Sequence, residues 1–98
     1  MVTGSASGIG AACAVRLAEE GAAVVLADVR PADDVAARIA SAGGRARAVV
    51  ADVSRDDDWA RIAATARDTF GPVGVLVSNA YTVDVAAAGE MTPASWER

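Results

Sequence analysis

The stretch Thr3-Gly4-Ser5-Ala6-Ser7-Gly8-Ile9-Gly10 is the most informative part of this chain. Its three glycines follow a very short apolar start and precede a run with helical periodicity. Glycine tolerates positive φ and lets other groups approach the backbone, so such a strand-to-helix turn leaves space beside the helix N-terminus. The N–H groups there carry a partial positive charge that attracts phosphate. The stretch therefore predicts a phosphate-binding turn.

The glycine spacing narrows the kind of site. It is Gly-x-x-x-Gly-x-Gly, and a Gly-x-Gly-x-x-Gly pattern counted from Gly8 fails because Cys13 stands at its third glycine. A P-loop also fails, because it requires a lysine and the chain has none. Glycines needed for packing alone are the remaining alternative. Asp28 favours a dinucleotide, since an acid at the end of the second predicted strand accepts hydrogen bonds from ribose hydroxyls.

Apolar runs alternate with helical patterns along the chain. After a short strand before Gly4, continuous apolar runs typical of strands buried on both faces of a parallel sheet lie at 23–27, 48–51 and 73–77. Helices are predicted at 8–20, at 31–42, from about 54 to 70, and again from Thr92-Pro93. This order predicts an α/β fold with a doubly wound parallel sheet and helices on both faces.

Each predicted helix has an apolar face. Ser54 and Asp57 have the spacing of a capping box at the start of the third helix. We interpret the run Asp56–Asp58 as a charged helix start rather than a metal site. The residues expected to face the core are Ile9, Cys13 and Leu17 in the first helix, Val35 and Ile39 in the second, and Trp59, Ile62, Ala63, Ala66 and Phe70 in the third.

Composition excludes several classes of protein. The 98 residues are 53% hydrophobic and 22% charged, which is typical of one globular domain. The net charge is −4 and all nine cationic residues are scattered arginines, so we expect neither nucleic-acid binding nor membrane attachment. Cys13 is the only cysteine, expected as a small buried residue, and it excludes an internal disulfide. We expect a cytoplasmic protein without a metal site.

The octet from Thr3 to Gly10 resembles the cofactor motif of the short-chain dehydrogenases/reductases. Asp52-Val53, after the third predicted strand, is similar to the family's adenine-contacting Asp-Val pair. Ser78-Asn79-Ala80-Tyr81 occupies the place of its Asn-Asn-Ala-Gly motif, and Thr92–Arg98 with Trp96 resembles the start of the following long helix. The resemblance implies a Rossmann fold and an oxidoreductase that transfers hydride between a nicotinamide cofactor and an alcohol or carbonyl substrate.

The resemblance and the spacing together predict a set of cofactor-binding residues. They are Thr3, Gly4, Ser5, Ser7, Gly8, Ile9, Gly10, Asp28, Asp52, Val53, Asn79 and Ala80. Two residues depart from the family pattern, because Ser78 replaces its first Asn and Tyr81 replaces its Gly. Two interpretations of Tyr81 stay open: it narrows the nicotinamide side of the site, or it points to solvent.

Asp28 also bears on the choice of cofactor. A carboxylate about 4 Å from a 2′-phosphate repels it by roughly 4 kcal/mol at an effective dielectric constant near 20, before screening. NAD is therefore expected over NADP. Arg30 is the alternative, since a guanidinium two residues further on is able to hold that phosphate; we expect it instead to be a solvated arginine.

No catalytic residue is expected in this chain. Family members use a Tyr, a Lys four residues later, a Ser and an Asn, and we expect these downstream of residue 98. Tyr81 does not replace that Tyr, because position 85 is Val and the chain lacks lysine. Ser5, Ser7 and Ser78 have no His to activate them, which excludes a hydrolase triad.

We therefore expect residues 1–98 to form a partial NAD(P)-binding Rossmann domain, truncated at both ends. It extends from a stub of the first strand to the start of the helix after the fourth. By itself it should be poorly stable and inactive, while the full-length family member is expected to be a homo-oligomer. The alternative function is a non-catalytic NAD-binding module or a degenerate fragment. A signalling receiver domain is disfavoured, because Thr3-Gly4-Ser5 stands where its acidic pair belongs.

Overall fold

Three parallel strands alternate with three helices. A computed structural model describes residues 1–81 and residue 89 of the chain. The elements are β1 (Val2–Thr3), α1 (Gly8–Glu19), β2 (Ala23–Asp28), α2 (Asp33–Ser41), β3 (Arg45–Val50) and α3 (Asp56–Phe70). The strands pair in the order β1-β2-β3, with Val2 opposite Leu26 and Ala23 opposite Arg45. The predicted helix from Thr92-Pro93 lies outside the described residues.

Successive side chains of β2 enter two separate cores. Val24 and Leu26 pack in the cluster that α1 and α2 cover, whereas Val25 and Ala27 pack in the cluster that α3 covers with Ile62. This alternation is the period of two that a strand imposes on its side chains. Helices therefore lie on both faces of the sheet, and the predicted doubly wound α/β architecture is confirmed. Each fully buried Leu or Ile stabilises the fold by about 1.5–3 kcal/mol.

The third strand differs from its prediction. We expected a strand at 48–51 buried on both faces, but β3 starts at Arg45, and Arg45, Arg47 and Val50 are exposed. Among the described strands β3 pairs only with β2, so it is an edge strand with incomplete helix cover. Arginines at such an edge discourage pairing with another chain.

The predicted fourth strand is reduced to one isolated bridge, between Val77 and Val2. Val77 donates its N–H to the Met1 carbonyl at 2.9 Å and accepts the Thr3 N–H at 3.0 Å. The segment lies on the side of β1 opposite to β2, so β1 is an interior strand. Leu76 is half exposed.

The buried face of α1 is not the predicted one. The helix begins at Gly8 as expected, but its buried residues are Gly10, Ala11, Ala14 and Ala18. Ile9 is 74% exposed, while Cys13 and Leu17 are only half-buried. The reason is the close approach of α1 to the sheet, which admits small side chains only and turns larger ones to the flanks.

The other two helices follow their predictions more closely. α2 begins at Asp33, two residues later than expected, and buries Val35 and Ile39 as predicted. In α3 the predicted core residues Ile62 and Ala66 are buried, and Trp59 and Phe70 pack against them half-buried. Ala63 was expected in the same face and is exposed.

Candidate functional site

The glycine turn between β1 and α1 is built by three glycines with two different functions. Gly4 and Gly8 have φ of 64° and 58°, values that an L side chain rarely adopts. Gly10 has ordinary φ, but a Cβ there would touch the Gly4 carbonyl oxygen and lie 2.7 Å from Asn79 Nδ2. Gly10 therefore lets α1 close onto the turn, whereas a Cβ at Gly8 would meet no protein atom within 4 Å.

Asn79 and Thr3 tie this turn to the loop that follows Val77. The Asn79 side-chain amide donates to the carbonyl oxygens of Thr3 at 3.4 Å and Gly4 at 3.3 Å. Thr3 Oγ1 accepts the backbone N–H of Asn79 at 2.9 Å and of Ala80 at 3.1 Å. The two loops therefore form one rigid wall at the carboxyl ends of the strands.

Asp28 lies at the end of β2 with its carboxylate fixed by backbone donors. Oδ2 accepts the Ala6 N–H and Oδ1 accepts the Arg30 N–H, both at 2.9 Å. The residue is 7% exposed. Since a carboxylate has about four acceptor positions, each oxygen keeps capacity for a further donor. Asp28 thus joins the glycine turn to the neighbouring strand and still presents acceptor positions to the cavity beside it.

Arg30 is not the freely solvated arginine that we expected. Its Nη2 donates to Ser7 Oγ at 2.6 Å, and its Nε lies 3.9 Å from Asp28 Oδ1. About 65% of the side chain remains exposed. The guanidinium therefore lies between the glycine turn and the acid at the end of β2.

The loop between β3 and α3 has its own network, and the capping box predicted there is wrong. α3 is N-capped by Arg55 without a side-chain cap bond from any described residue, so Ser54 lies one position before the cap; its Oγ donates to Asp52 Oδ1 at 2.6 Å. The Ser54 N–H donates to the same oxygen at 2.9 Å. These two bonds, the hydroxyl first, lower the pKa of the Asp52 carboxyl.

These elements enclose a cavity of about 930 Å³ at the carboxyl ends of the strands. The glycine turn, the end of β2, the β3–α3 loop and residues 79–81 each contribute to its wall. Ligands of open α/β sheets bind in this position.

The cavity brings together nine of the twelve predicted site residues. They are Gly4, Ser7, Gly8, Ile9, Asp28, Asp52, Val53, Asn79 and Ala80. The other three, Thr3, Ser5 and Gly10, are buried behind the wall. Ser5 Oγ donates to the Ala27 carbonyl at 3.3 Å, and Thr3 Oγ1 is occupied by the second loop. The side chains of these two residues therefore shape the turn and do not face the cavity.

The predicted list also omitted residues that line the cavity. They are Ala27, Val29, Arg30, Ala51, Ser54 and Tyr81. Most of them are next to a predicted site residue in the sequence. Including the residues on either side of each predicted strand end would therefore have identified them. Tyr81 is 83% exposed and lines the rim.

The described residues form neither a metal site nor a membrane-spanning helix. These residues contain no group of three or more His, Cys, Asp or Glu side chains able to hold a metal ion. None of the helices α1 to α3 has the length and hydropathy that a membrane crossing requires.

A glycine turn at a helix N-terminus, with an acid at the tip of the adjacent parallel strand, defines the Rossmann class of nucleotide-binding folds. The family model described as short chain dehydrogenase matches residues 1–98, and the chain belongs to this family of oxidoreductases that bind nicotinamide dinucleotides. The resemblance noted in the sequence is thereby confirmed.

Individual relatives agree with this assignment. The chain is 48% identical over 100 residues to cis-4-hydroxycyclohexanecarboxylate dehydrogenase of Sinomonas cyclohexanicum, covering all of this chain and 40% of that protein. A short chain dehydrogenase from Mycobacterium avium superimposes with a TM-score of 0.92 at 34% identity, over 98% of this chain and 38% of that one. A metagenomic short-chain oxidoreductase in complex with NADP gives a TM-score of 0.90 at 36% identity, over 98% and 45% of the two chains. The chain thus spans about two fifths of the length of these relatives.

Proposed function

We propose that this chain is the dinucleotide-binding part of an NAD(P)-dependent oxidoreductase that transfers hydride between nicotinamide and an alcohol or carbonyl substrate. The observation that carries the proposal is the uncompensated N-terminus of α1. Its first turn contains no acidic residue, and its N-cap Ser7 makes no side-chain cap bond within the described residues. The first turns of α2 and α3, in contrast, carry two and three aspartates.

This N-terminus suits a pyrophosphate. The first N–H groups of a helix have no intrahelical partner, and the helix dipole adds about half a positive charge there. Gly8 leaves open space where a side chain would hold phosphate oxygens away. The dinucleotide would then lie with its pyrophosphate at Gly8, its adenosine ribose at Asp28 and its adenine beside Asp52 and Val53. Its nicotinamide would lie toward Asn79, Ala80 and Tyr81.

NAD is the proposed cofactor in preference to NADP. Asp28 offers ribose hydroxyls an acceptor and opposes a 2′-phosphate. Arg30 is the competing feature, because its guanidinium lies within reach of the same ribose position. The related metagenomic oxidoreductase is in complex with NADP, so the binding experiment has to include NADP as well as NAD.

This proposal is tested by titrating the purified chain with NAD and with NADP and measuring the heat of binding by calorimetry. The Asp28→Asn variant keeps an acceptor for the Ala6 N–H but loses the charge. We expect NAD affinity to fall about tenfold, the value of a hydrogen bond to a charged group, and the preference over NADP to narrow. Arg30→Gln is the matched control and should leave NAD affinity nearly unchanged. Binding of neither dinucleotide at millimolar concentration would refute the proposal.

We propose that the residues that catalyse hydride transfer are not among residues 1–98. The sequence has no lysine to lower the pKa of a catalytic tyrosine, so the chain alone is expected to bind cofactor without oxidising alcohols. A small alcohol or carbonyl substrate and a homo-oligomeric assembly are proposed for the full-length enzyme. Alcohol oxidation by the 98-residue chain would overturn this division. The second candidate, a non-catalytic NAD-binding module, rests on the same absence of lysine.

A further inference from the structure

Three side chains from the first two turns of α3 each bind one backbone group of residues 50–53, where the chain passes from β3 into the loop before α3. Asp58 Oδ2 accepts the Asp52 N–H at 2.7 Å. Trp59 Nε1 donates to the Val53 carbonyl at 2.6 Å, and Arg61 Nη2 donates to the Val50 carbonyl at 2.6 Å. We call Asp58, Trp59 and Arg61 the α3 clamp.

The α3 clamp holds the chain where it leaves the sheet. The last bond to β2 is made one residue after the end of β3, from the Ala51 N–H to the Asp28 carbonyl at 2.9 Å. β3 ends at Val50, so the next residues lack the full set of ladder partners that an interior strand supplies. Asp58 and Trp59 hold the loop at consecutive residues, through the N–H of Asp52 and the C=O of Val53. Trp59 is itself anchored, because its ring packs against the core under α3. The loop therefore takes its position from the helix.

Asp52 is the residue that this fixation affects most. Its Oδ1 accepts both Ser54 bonds, whereas Oδ2 accepts no hydrogen bond from the described residues. Asp52 lines the large cavity. Because Ser54 lowers its pKa, the carboxyl is ionised at neutral pH and acts only as an acceptor. It suits a ligand that presents an amino group and opposes one that presents a carbonyl oxygen.

We infer that the α3 clamp, chiefly Asp58 and Trp59, consists of positioning residues that aim the Asp52 carboxylate at the 6-amino group of an adenine base. This inference rests on the proposed function. It goes beyond it by assigning base discrimination to residues of α3 that do not line the large cavity; Asp58 and Arg61 line only a smaller cavity beside the loop. Hypoxanthine, which carries an oxygen at the same ring position, should be rejected.

The test compares NAD with nicotinamide hypoxanthine dinucleotide, measuring the ratio of their dissociation constants. Both ligands see the same folded fraction, so the ratio is insensitive to lost stability. We expect the wild-type chain to prefer NAD by about tenfold, the value of one charge-assisted hydrogen bond. Trp59→Phe keeps the aromatic ring and removes the N–H, and it should reduce the preference below about threefold.

Variants of Asp58 separate positioning from general damage. Asp58→Ala should reduce the preference as Trp59→Phe does, and Asp58→Asn should restore it, because the amide oxygen still accepts the Asp52 N–H. Asp57→Ala is the matched control: this neighbour is exposed in the same helical turn and should leave the ratio at its wild-type value. An unchanged ratio in both Trp59→Phe and Asp58→Ala would overturn the inference, as would a wild-type ratio near one.

Amide hydrogen exchange without ligand completes the experiment. Exchange at the Asp52 N–H should accelerate in Asp58→Ala and stay slow in Asp58→Asn. If the Asp52 N–H exchanged at the same rate in both variants, Asp58 would not hold this amide and the inference would fail, even if no dinucleotide bound. Failure of the wild-type chain to bind either dinucleotide would instead refute the proposed function, so the two failures are distinguishable.

Discussion

The glycine turn of residues 4–10 and the β3–α3 loop of residues 51–55 line the same cavity but are built by opposite means. The turn owes its shape to missing side chains: positive φ at Gly4 and Gly8, and backbone contact at Gly10. The loop owes its shape to side chains of α3 and of Ser54 that bind its backbone and its one carboxylate. The glycine turn therefore requires glycine, because no other residue fits these positions. The β3–α3 loop requires only hydrogen bonds, which chemically similar side chains are also able to make.

This difference has an energetic consequence. A methyl group forced into a packed contact costs about 1–3 kcal/mol, because backbone atoms have nowhere to move. Loss of a single hydrogen bond to the loop costs only about 0.5–1.5 kcal/mol. We therefore expect the glycine turn to be brittle and the loop to tolerate conservative change.

The largest effect is expected from Gly10→Ala. Its Cβ would overlap the Gly4 carbonyl and push against Asn79, so α1 has to move away from the turn. We expect a loss of about 3 kcal/mol in unfolding free energy, measured by urea denaturation, together with loss of dinucleotide binding. Gly74→Ala, which meets no atom within 4 Å, is the control. Equal stability of the two variants would show that the turn is not brittle.

Gly8→Ala should separate binding from stability. Positive φ costs an alanine about 1 kcal/mol, but the new methyl meets no protein atom and points into open space. We expect NAD affinity, measured by calorimetry, to fall at least about tenfold. Gly21→Ala has φ of 96° and an equally open surrounding away from the cavity, so it carries similar strain. If both variants bind NAD equally, the open space at Gly8 does not serve the cofactor.

The smallest effect is expected from Ser54→Ala, in the loop. The variant removes the hydroxyl that chiefly lowers the Asp52 pKa and keeps the backbone donor, so the pKa should rise toward its ordinary value. A lowered carboxyl pKa favours the folded state above the ordinary value of about 3.9, and this contribution disappears as the pH falls through the folded pKa. Ser54→Ala should therefore unfold at slightly higher pH in acid. NMR titration of the Asp52 carboxyl carbon measures the shift, and an unaltered titration curve would contradict it.

The same contrast explains which features were predictable. Continuous apolar residues identified β2, because a central strand is buried on both faces. The three closely spaced glycines identified the turn, because few structures other than such a turn require glycine at these positions. The exposure of Val50 and the single bridge at Val77 depend on which strands lie alongside, and no local pattern encodes that. Ser54 had the spacing of a cap, but α3 begins one residue later, after Arg55, and the Ser54 side chain turns toward Asp52 and donates to its carboxylate.

Nine of the predicted site residues line the cavity because strand ends and glycine turns are local signals that topology brings to one edge of the sheet. Thr3 and Ser5 had the same sequence signal and were turned inward, since their hydroxyls bond to neighbouring strands and loops. Arg30 shows the converse, a residue expected in solvent that contacts Ser7 and Asp28.

By itself the sequence determined the order of strands and helices, the glycine turn and the acid at the end of β2, because these depend on backbone conformation and on periodicity along the chain. Only the tertiary structure decided that small residues of α1 face the sheet, that Asn79 locks the turn and that α3 holds the loop beside it. Those features arise from contacts between residues far apart in the chain or from competition among hydrogen-bond partners. Which contacts form depends on distances in the folded protein, and these cannot be read from the residue types alone.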